Sequence, residues 1–396
     1  MVASFILFAA AAATPVQAPA PPAAEPGTIV VTGRRVPDYR AALAACLARN
    51  CPPNEDIDAT MALAEALFMT GQYRDARTTI RDSLGRNRDE ARNYPEPVSD
   101  LYRANARVAR HLGFDRDAQI STANILRALQ TGLPTEDYRH FSARLEISQS
   151  LVAFRQYRTA RRQLAELAER ARAAGRADVA AIAELRSLWT EYLEFPQGSA
   201  VRDLTAMSRR TGPENRIYAI GARMLLVRIH GERGETQRVD ALLAELRQTN
   251  TQRRQLLWSP PYQLAVNEDG DATLGGLPEE GRSMDSTLAR RAGNFDDMWI
   301  DVAFWVQPDG RVNDLQIVRK MGNPDWADPL LQSIRGRRYA AIPGTEPTYR
   351  LERYTYTSGY EIRTGTRIVQ RSPRARVEYF DLTSGEAPPP PPTPSG

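Results

Sequence analysis

The chain has 396 residues, enough for two or three domains of ordinary size with cores of their own. Its 52 basic and 48 acidic side chains leave a net charge of only +4; Lys320 is the sole lysine, and the arginines are interleaved with Asp and Glu instead of forming a stripe. That distribution argues against a nucleic-acid partner despite the high pI.

Residues 1–18, MVASFILFAAAAATPVQA, have the pattern of a secretory signal. The apolar run from Val2 to Ala13 has the length of an h-region, and Val16-Gln17-Ala18 satisfies the small-residue rule for cleavage. At about 1.5 Å per residue the run reaches about 18 Å, short of the roughly 30 Å of a bilayer core. The expectation is therefore export to a periplasm with loss of residues 1–18, with an uncleaved inner-membrane anchor as the alternative. No other stretch is long and apolar enough to span a membrane.

Residues 19–38 are a Pro/Ala linker that leads into an isolated β-prone octet, Thr28 to Arg35 (TIVVTGRR). The octet resembles the TonB-box region of outer-membrane receptors, a short peptide that TonB C-terminal domains grip by adding it as a strand to an open sheet edge. It reads equally as a first strand or as plain linker. Cys46 and Cys51 follow in AACLARNCPP, where a helix end meets Pro52-Pro53; a disulfide between them is expected in an oxidising compartment. A metal or redox role would call for C-x-x-C or nearby histidines, and His111, His140 and His230 lie far apart, so no metal site is expected.

Residues 39–250 are helical and repetitive. MALAEALFMTGQYRDARTTIRDSL carries Gly71 and Tyr73 at a helix–helix turn, with Ala76 and Ile80 on the second helix. ANARVARHLGFDRDAQISTANIL repeats the plan with Gly113 and Ala118, and SQSLVAFRQYRTARRQLAELA does so with Arg155, Tyr157 and Ala160. The alanines recur every 42 residues. A degenerate fourth pair spans Leu185 to Met207, and a fifth surrounds Gly234. This pattern resembles a tetratricopeptide (TPR) array with longer helices or loops than the usual 34-residue unit. The resemblance implies a solenoid with a concave surface and protein partners.

Periodicity stops across the linker at 251–294, although SPPYQLAV could lay one strand against a later sheet. In residues 295–385, Ile300, Val302, Phe304 and Val306 alternate as one face of a strand. Asp309-Gly310 supplies a tight turn, and the apolar parity changes between Val312 and Leu315, which predicts a bulge. Trp326, Leu330, Leu331 and Ile334 have helical spacing, and Tyr349 to Ile362 is composed as a further strand. The ordered motifs DVAFWV, PDGRV, NDLQIV, DWADPLLQSIRGRRY and YRLERYTYT resemble the TonB C-terminal domain family. The resemblance implies that an extended peptide is added at an open sheet edge; the leading expectation is that this edge lies near Tyr349 to Tyr356, with Trp305, Tyr349, Tyr354 and Tyr356 shaping its pockets, although these aromatics serve equally as core. Residues 386–396 form a Pro-rich tail expected to be disordered.

The sequence holds no P-loop, no G-x-S-x-G elbow and no H-E-x-x-H, and its many carboxylates single out no pair, so no catalytic residue and no cofactor are expected. The expected fold is α+β multidomain: an all-α TPR-like solenoid followed by a small TonB C-terminal-like domain. The expected role is an exported, non-enzymatic scaffold that docks an extended peptide or envelope protein, including a TonB-dependent receptor or a TonB-box-like peptide. Two alternatives stand beside it, an anchored TonB-type energy transducer and an envelope-assembly scaffold that uses the helical groove.

Overall fold

Alanine brings no side-chain entropy into a helix and lets a neighbouring helix come close. In the computed structural model Ala76, Ala118 and Ala160 are at most 1% exposed, each at the crossing of a helix pair. The described residues are 35–248, 254–262, 298–342, 344–362 and 369–383. The expected signal segment, the octet apart from Arg35, most of the 251–294 linker and the 386–396 tail lie outside them.

After α1 (Val36–Ala48) come five helix pairs: α2 (Pro53–Met69) with α3 (Tyr73–Asn87), α4 (Pro95–His111) with α5 (Asp115–Gly132), α6 (Tyr138–Ala153) with α7 (Tyr157–Ala173), α8 (Ala177–Glu194) with α9 (Ala200–Ser208), and α10 (Arg216–Glu232) with α11 (Thr236–Gln248). Helices α2 to α8 have 15 to 18 residues each, which accounts for the 42-residue interval. At 9 residues α9 is short, in keeping with the degenerate fourth repeat.

The first three corners are built alike. Gly71 and Gly113 have φ of 80° and 78°, and Arg155 takes the same place with φ 56°. The next residues, Gln72, Phe114 and Gln156, donate their N–H groups back to the carbonyls of Leu67, Ala109 and Leu151, each at 2.8 Å. A 6→1 bond of this kind across a left-handed residue ends a helix and fixes the angle at which the next begins.

The C-terminal region is a four-stranded antiparallel sheet in the order β3-β2-β5-β6, from β2 (Trp299–Val306), β3 (Val312–Met321), β5 (Thr348–Ile362) and β6 (Val369–Asp381). A separate two-stranded ribbon pairs β1 (Leu256–Trp258) with β4 (Arg338–Tyr339). Among the described residues of the connecting segment the strand is LLW, just before SPPYQLAV, of which residues 263–266 lie outside the described residues. Ile300, Val302, Phe304 and Val306 pack with Tyr354 and Tyr356 against Trp326, Leu330, Leu331 and Ile334, the last three on α12 (Asp328–Arg335). The parity change after Val312 corresponds to a bulge in β2–β3 pairing, with Asp314 at φ 50° and a register shift between Ala303 and Trp305. Gly310 (φ 83°) makes the turn, and its carbonyl accepts the Tyr339 N–H at 2.8 Å, so this turn is architecture.

Array and sheet form one unit over Val36–Gly396. Trp299 of β2 belongs to the same apolar cluster as Leu67, Phe68, Tyr73 and Leu101, with Phe380 of β6 packed against it. At the other end of the array, Ala340 and Leu257 share a cluster with Val227, Val239 and Leu246.

Candidate interaction surfaces

A helix leaves its last carbonyls without intrahelical donors, and here the sheet supplies arginines to them. Arg353 donates to the carbonyls of Phe68 and Met69 at the end of α2. Arg376 donates to the Arg110 carbonyl at 3.1 Å, and Arg371 to that of Leu112 at 2.9 Å, at the end of α4. Phe68 and Arg110 are 42 residues apart, so the sheet reads the same carbonyl in two successive repeats. Glycine is required at both corners: a Cβ on Gly71 would strike the Trp299 indole, and one on Gly113 the Ser358 carbonyl.

The contact is polar at its centre. Arg353 and Asp301 face each other across β5 and β2, both 0% exposed, with bonds of 2.6 and 2.9 Å, and the guanidinium lies 3.9 Å from the Trp299 ring centroid. Burial alone would depress the Arg353 pKa, but the Asp301 carboxylate and the Tyr73 hydroxyl together more than offset it and the pKa is raised. The Thr355 hydroxyl bonds both Tyr73 Oη (3.0 Å) and His111 Nδ1 (2.8 Å). Burial pushes the His111 imidazole down to about 3, so it is neutral at ordinary pH. Burial also penalises the Glu378 carboxylate, yet Arg110 and Arg376 draw its pKa below the ordinary value. Arg376 bonds Asp115 as well, and Tyr360 stacks on Phe114 with centroids 5.2 Å apart.

The structure separates the four aromatics expected to shape a peptide pocket. Tyr354 is 2% exposed and donates to Glu352, while Arg337 donates to both at 2.7 Å. Tyr356 is 8% exposed and packs on Trp326 with centroids 5.2 Å apart. Trp305 and Tyr349 meet edge to face at 5.4 Å and are half-buried, on the opposite face of the sheet. The expectation that Tyr349 to Tyr356 form a sheet edge is corrected by the topology. β5 lies between β2 and β6, with Glu352 to Ile362 paired to β6, so the chain's own last strand fills the place expected for a peptide. β6 was missed because its sequence, VQRSPRARVEYFD, carries a proline and charged residues that mask the alternation of a strand.

The two outer strands differ as docking edges. β3 is bulged twice in ten residues and exposes Arg319 and Lys320, features that blunt an edge. β6 pairs with β5 in unbroken register from Ala375 to Asp381. Among the described residues this stretch has no backbone hydrogen bond on its outer side. Arg376, Glu378 and Phe380 turn to the array, where the Arg107 guanidinium stands 4.6 Å from the Phe380 ring centroid.

Elsewhere on the array, a groove of about 560 Å³ lies between α7, α8 and α9, with Leu164, Ala168 and Met207 on its floor and Arg172 and Glu184 at its rim. Cys46 and Cys51 are joined as a disulfide with Cα atoms 5.2 Å apart. Glu55 lies close to both sulfurs, but the disulfide removes the thiolates a metal would need. Among the described residues no helix is long and apolar enough to cross a membrane.

No family model matches the chain, and no curated protein matches it. Solved structures similar to it include BtubC (BKLC) from P. vanneervenii, with 14% identity over 63% of this chain and 95% of that one and a TM-score of 0.40. A putative kinesin light chain with nearly identical TPR-like repeats from Podosopora anserina has 17% identity over 51% and 99%, with a TM-score of 0.37. A Rap protein complexed with competence and sporulation factor has 12% identity over 54% and 63%, with a TM-score of 0.34. Superpositions this loose carry no argument; the repeat architecture rests on this chain's own corners and helix pairs.

Proposed function

We propose that the chain is an exported, non-enzymatic interaction scaffold of the cell envelope, a TPR-like array stiffened by its own C-terminal sheet, which docks an extended peptide of a partner protein. The observation that carries this reading is the outer edge of β6 from Ala375 to Asp381, seven residues in regular register with no backbone partner on that side among the described residues, as a further strand would need. The likeness of the sheet's motifs to the TonB C-terminal family supports peptide addition, moved one strand outward because β6 covers β5. The disulfide between Cys46 and Cys51 supports an oxidising compartment. A photoreactive IVVTGRR peptide, incubated with the full chain and irradiated, tests the site. Crosslinks within 375–381 are expected; crosslinks confined to the groove between α7 and α9, or none at millimolar concentration from this peptide or from its neutral and acidic counterparts, overturn the reading.

A further inference from the structure

A strand added to β6 would place alternate side chains on the array side, beside Arg376, Glu378 and Phe380, with directly opposed Cβ atoms about 5 Å apart. Resting on that mode of docking, we infer that the partner strand is acidic and sets a carboxylate opposite Phe380, where it pairs with Arg107.

Arg103, Arg107 and Arg110 form one stripe of α4 at helical spacing. The outer two are engaged: Arg103 with Glu146 and Asp100, and Arg110 with Glu378 at 2.7 Å. Arg107, between them, has no carboxylate within ion-pair distance among the described residues; its head stands over the Phe380 ring. Desolvation lowers its pKa; Glu146 and Glu65 oppose that from farther away, and Arg110 and Arg103 add to it. A cation crowded by protein and by like charges gains most from a carboxylate that can hydrogen-bond it. Glu378, the next array-facing residue of β6, already has Arg110 and Arg376, so that position asks for no charge of its own. The stripe and the edge strand thus define one charged position in an otherwise sequence-tolerant backbone site.

Fluorescence anisotropy of labelled IVVTGEE, IVVTGQQ and IVVTGRR with the full chain tests the assignment. IVVTGEE is expected to bind about 10-fold tighter than IVVTGQQ, the scale of one charge-assisted hydrogen bond, and IVVTGRR weakest. Arg107→Gln brings IVVTGEE to within about 2-fold of IVVTGQQ, while Arg107→Lys keeps most of the preference. Arg107 is exposed, so both variants should melt within about 2 °C of the parent, which confirms folding. Equal binding of all three peptides leaves strand docking standing and overturns the acidic preference, as does a preference that survives Arg107→Gln. Absence of binding by every peptide overturns the docking reading and the inference with it.

Discussion

Replacing Arg353 by methionine removes the hub that ties the sheet to the array. The guanidinium is fully buried and donates to both Asp301 oxygens and to two carbonyls at the end of α2. Among the described residues Asp301, itself 0% exposed, then keeps one partner, Arg319 at 2.7 Å, whose side chain is 44% exposed and screened by solvent. Leaving one member of a buried pair uncompensated costs about 3–5 kcal/mol. For a unit of this size that lowers the thermal midpoint by roughly 6–10 °C, at about 2 °C per kcal/mol. Tryptophan fluorescence suits the assay, because Trp299 lies against the lost guanidinium. The double variant Asp301→Leu, Arg353→Met is expected to regain at least half of the loss, since a buried pair replaced by apolar side chains is often near neutral. A single-variant loss below about 1 kcal/mol, the worth of a surface pair, would refute the account of this interface. So would a double variant no better than the single.

Three other outcomes follow from the same contacts. His111 has a folded pKa of about 3 against 6.5 when exposed, so the unfolded chain takes up the extra proton and stability falls as pH drops below 6.5. Urea unfolding at pH 7 and pH 5 should differ by about 2 kcal/mol from this residue, at 1.36 kcal/mol per pH unit, and His111→Gln should flatten that slope. Glu378, with its pKa drawn below 4.5, adds a loss of the same sign at still lower pH. Gly113→Ala forces a side chain into left-handed backbone and against the Ser358 carbonyl, whereas Gly234→Ala, at φ 70°, meets nothing within 4 Å. The second should cost about 1 kcal/mol and the first clearly more; equal melting shifts would mean the sheet does not rest on this corner. Opening the Cys46–Cys51 link with Cys46→Ser should weaken α1 by about 2 kcal/mol through loop entropy, seen as faster amide exchange in Val36–Ala48 with α2 unchanged.

The first three helix pairs were legible because their signal is local: a small residue at each crossing and a turn residue at each corner, repeated every 42 positions. Ile300, Val302, Phe304 and Val306 were legible for the same reason, since alternation alone marks the buried face. Asp301 and Arg353 were not. Each sits on the second face of its strand, where a charged residue reads as facing solvent, and only the distant corner at Phe68 makes that face an interior. The edge misassigned to Tyr349–Tyr356 has a related cause: whether a strand is central or outer depends on a partner elsewhere in the chain, and β6 is disguised by its arginines. Arg107 carries no sequence mark among so many arginines; its distinction is that its neighbours Arg103 and Arg110 on α4 have carboxylate partners and it has none among the described residues.

Amide hydrogen exchange of the full chain, with and without IVVTGEE, tests most directly whether the outer edge of β6 is the docking surface. Slower exchange is expected at alternate amides within Ala375–Asp381, with β3 (Val312–Met321) unchanged. Protection confined to β3 or to the groove between α7 and α9, or no protection at saturating peptide, would contradict it.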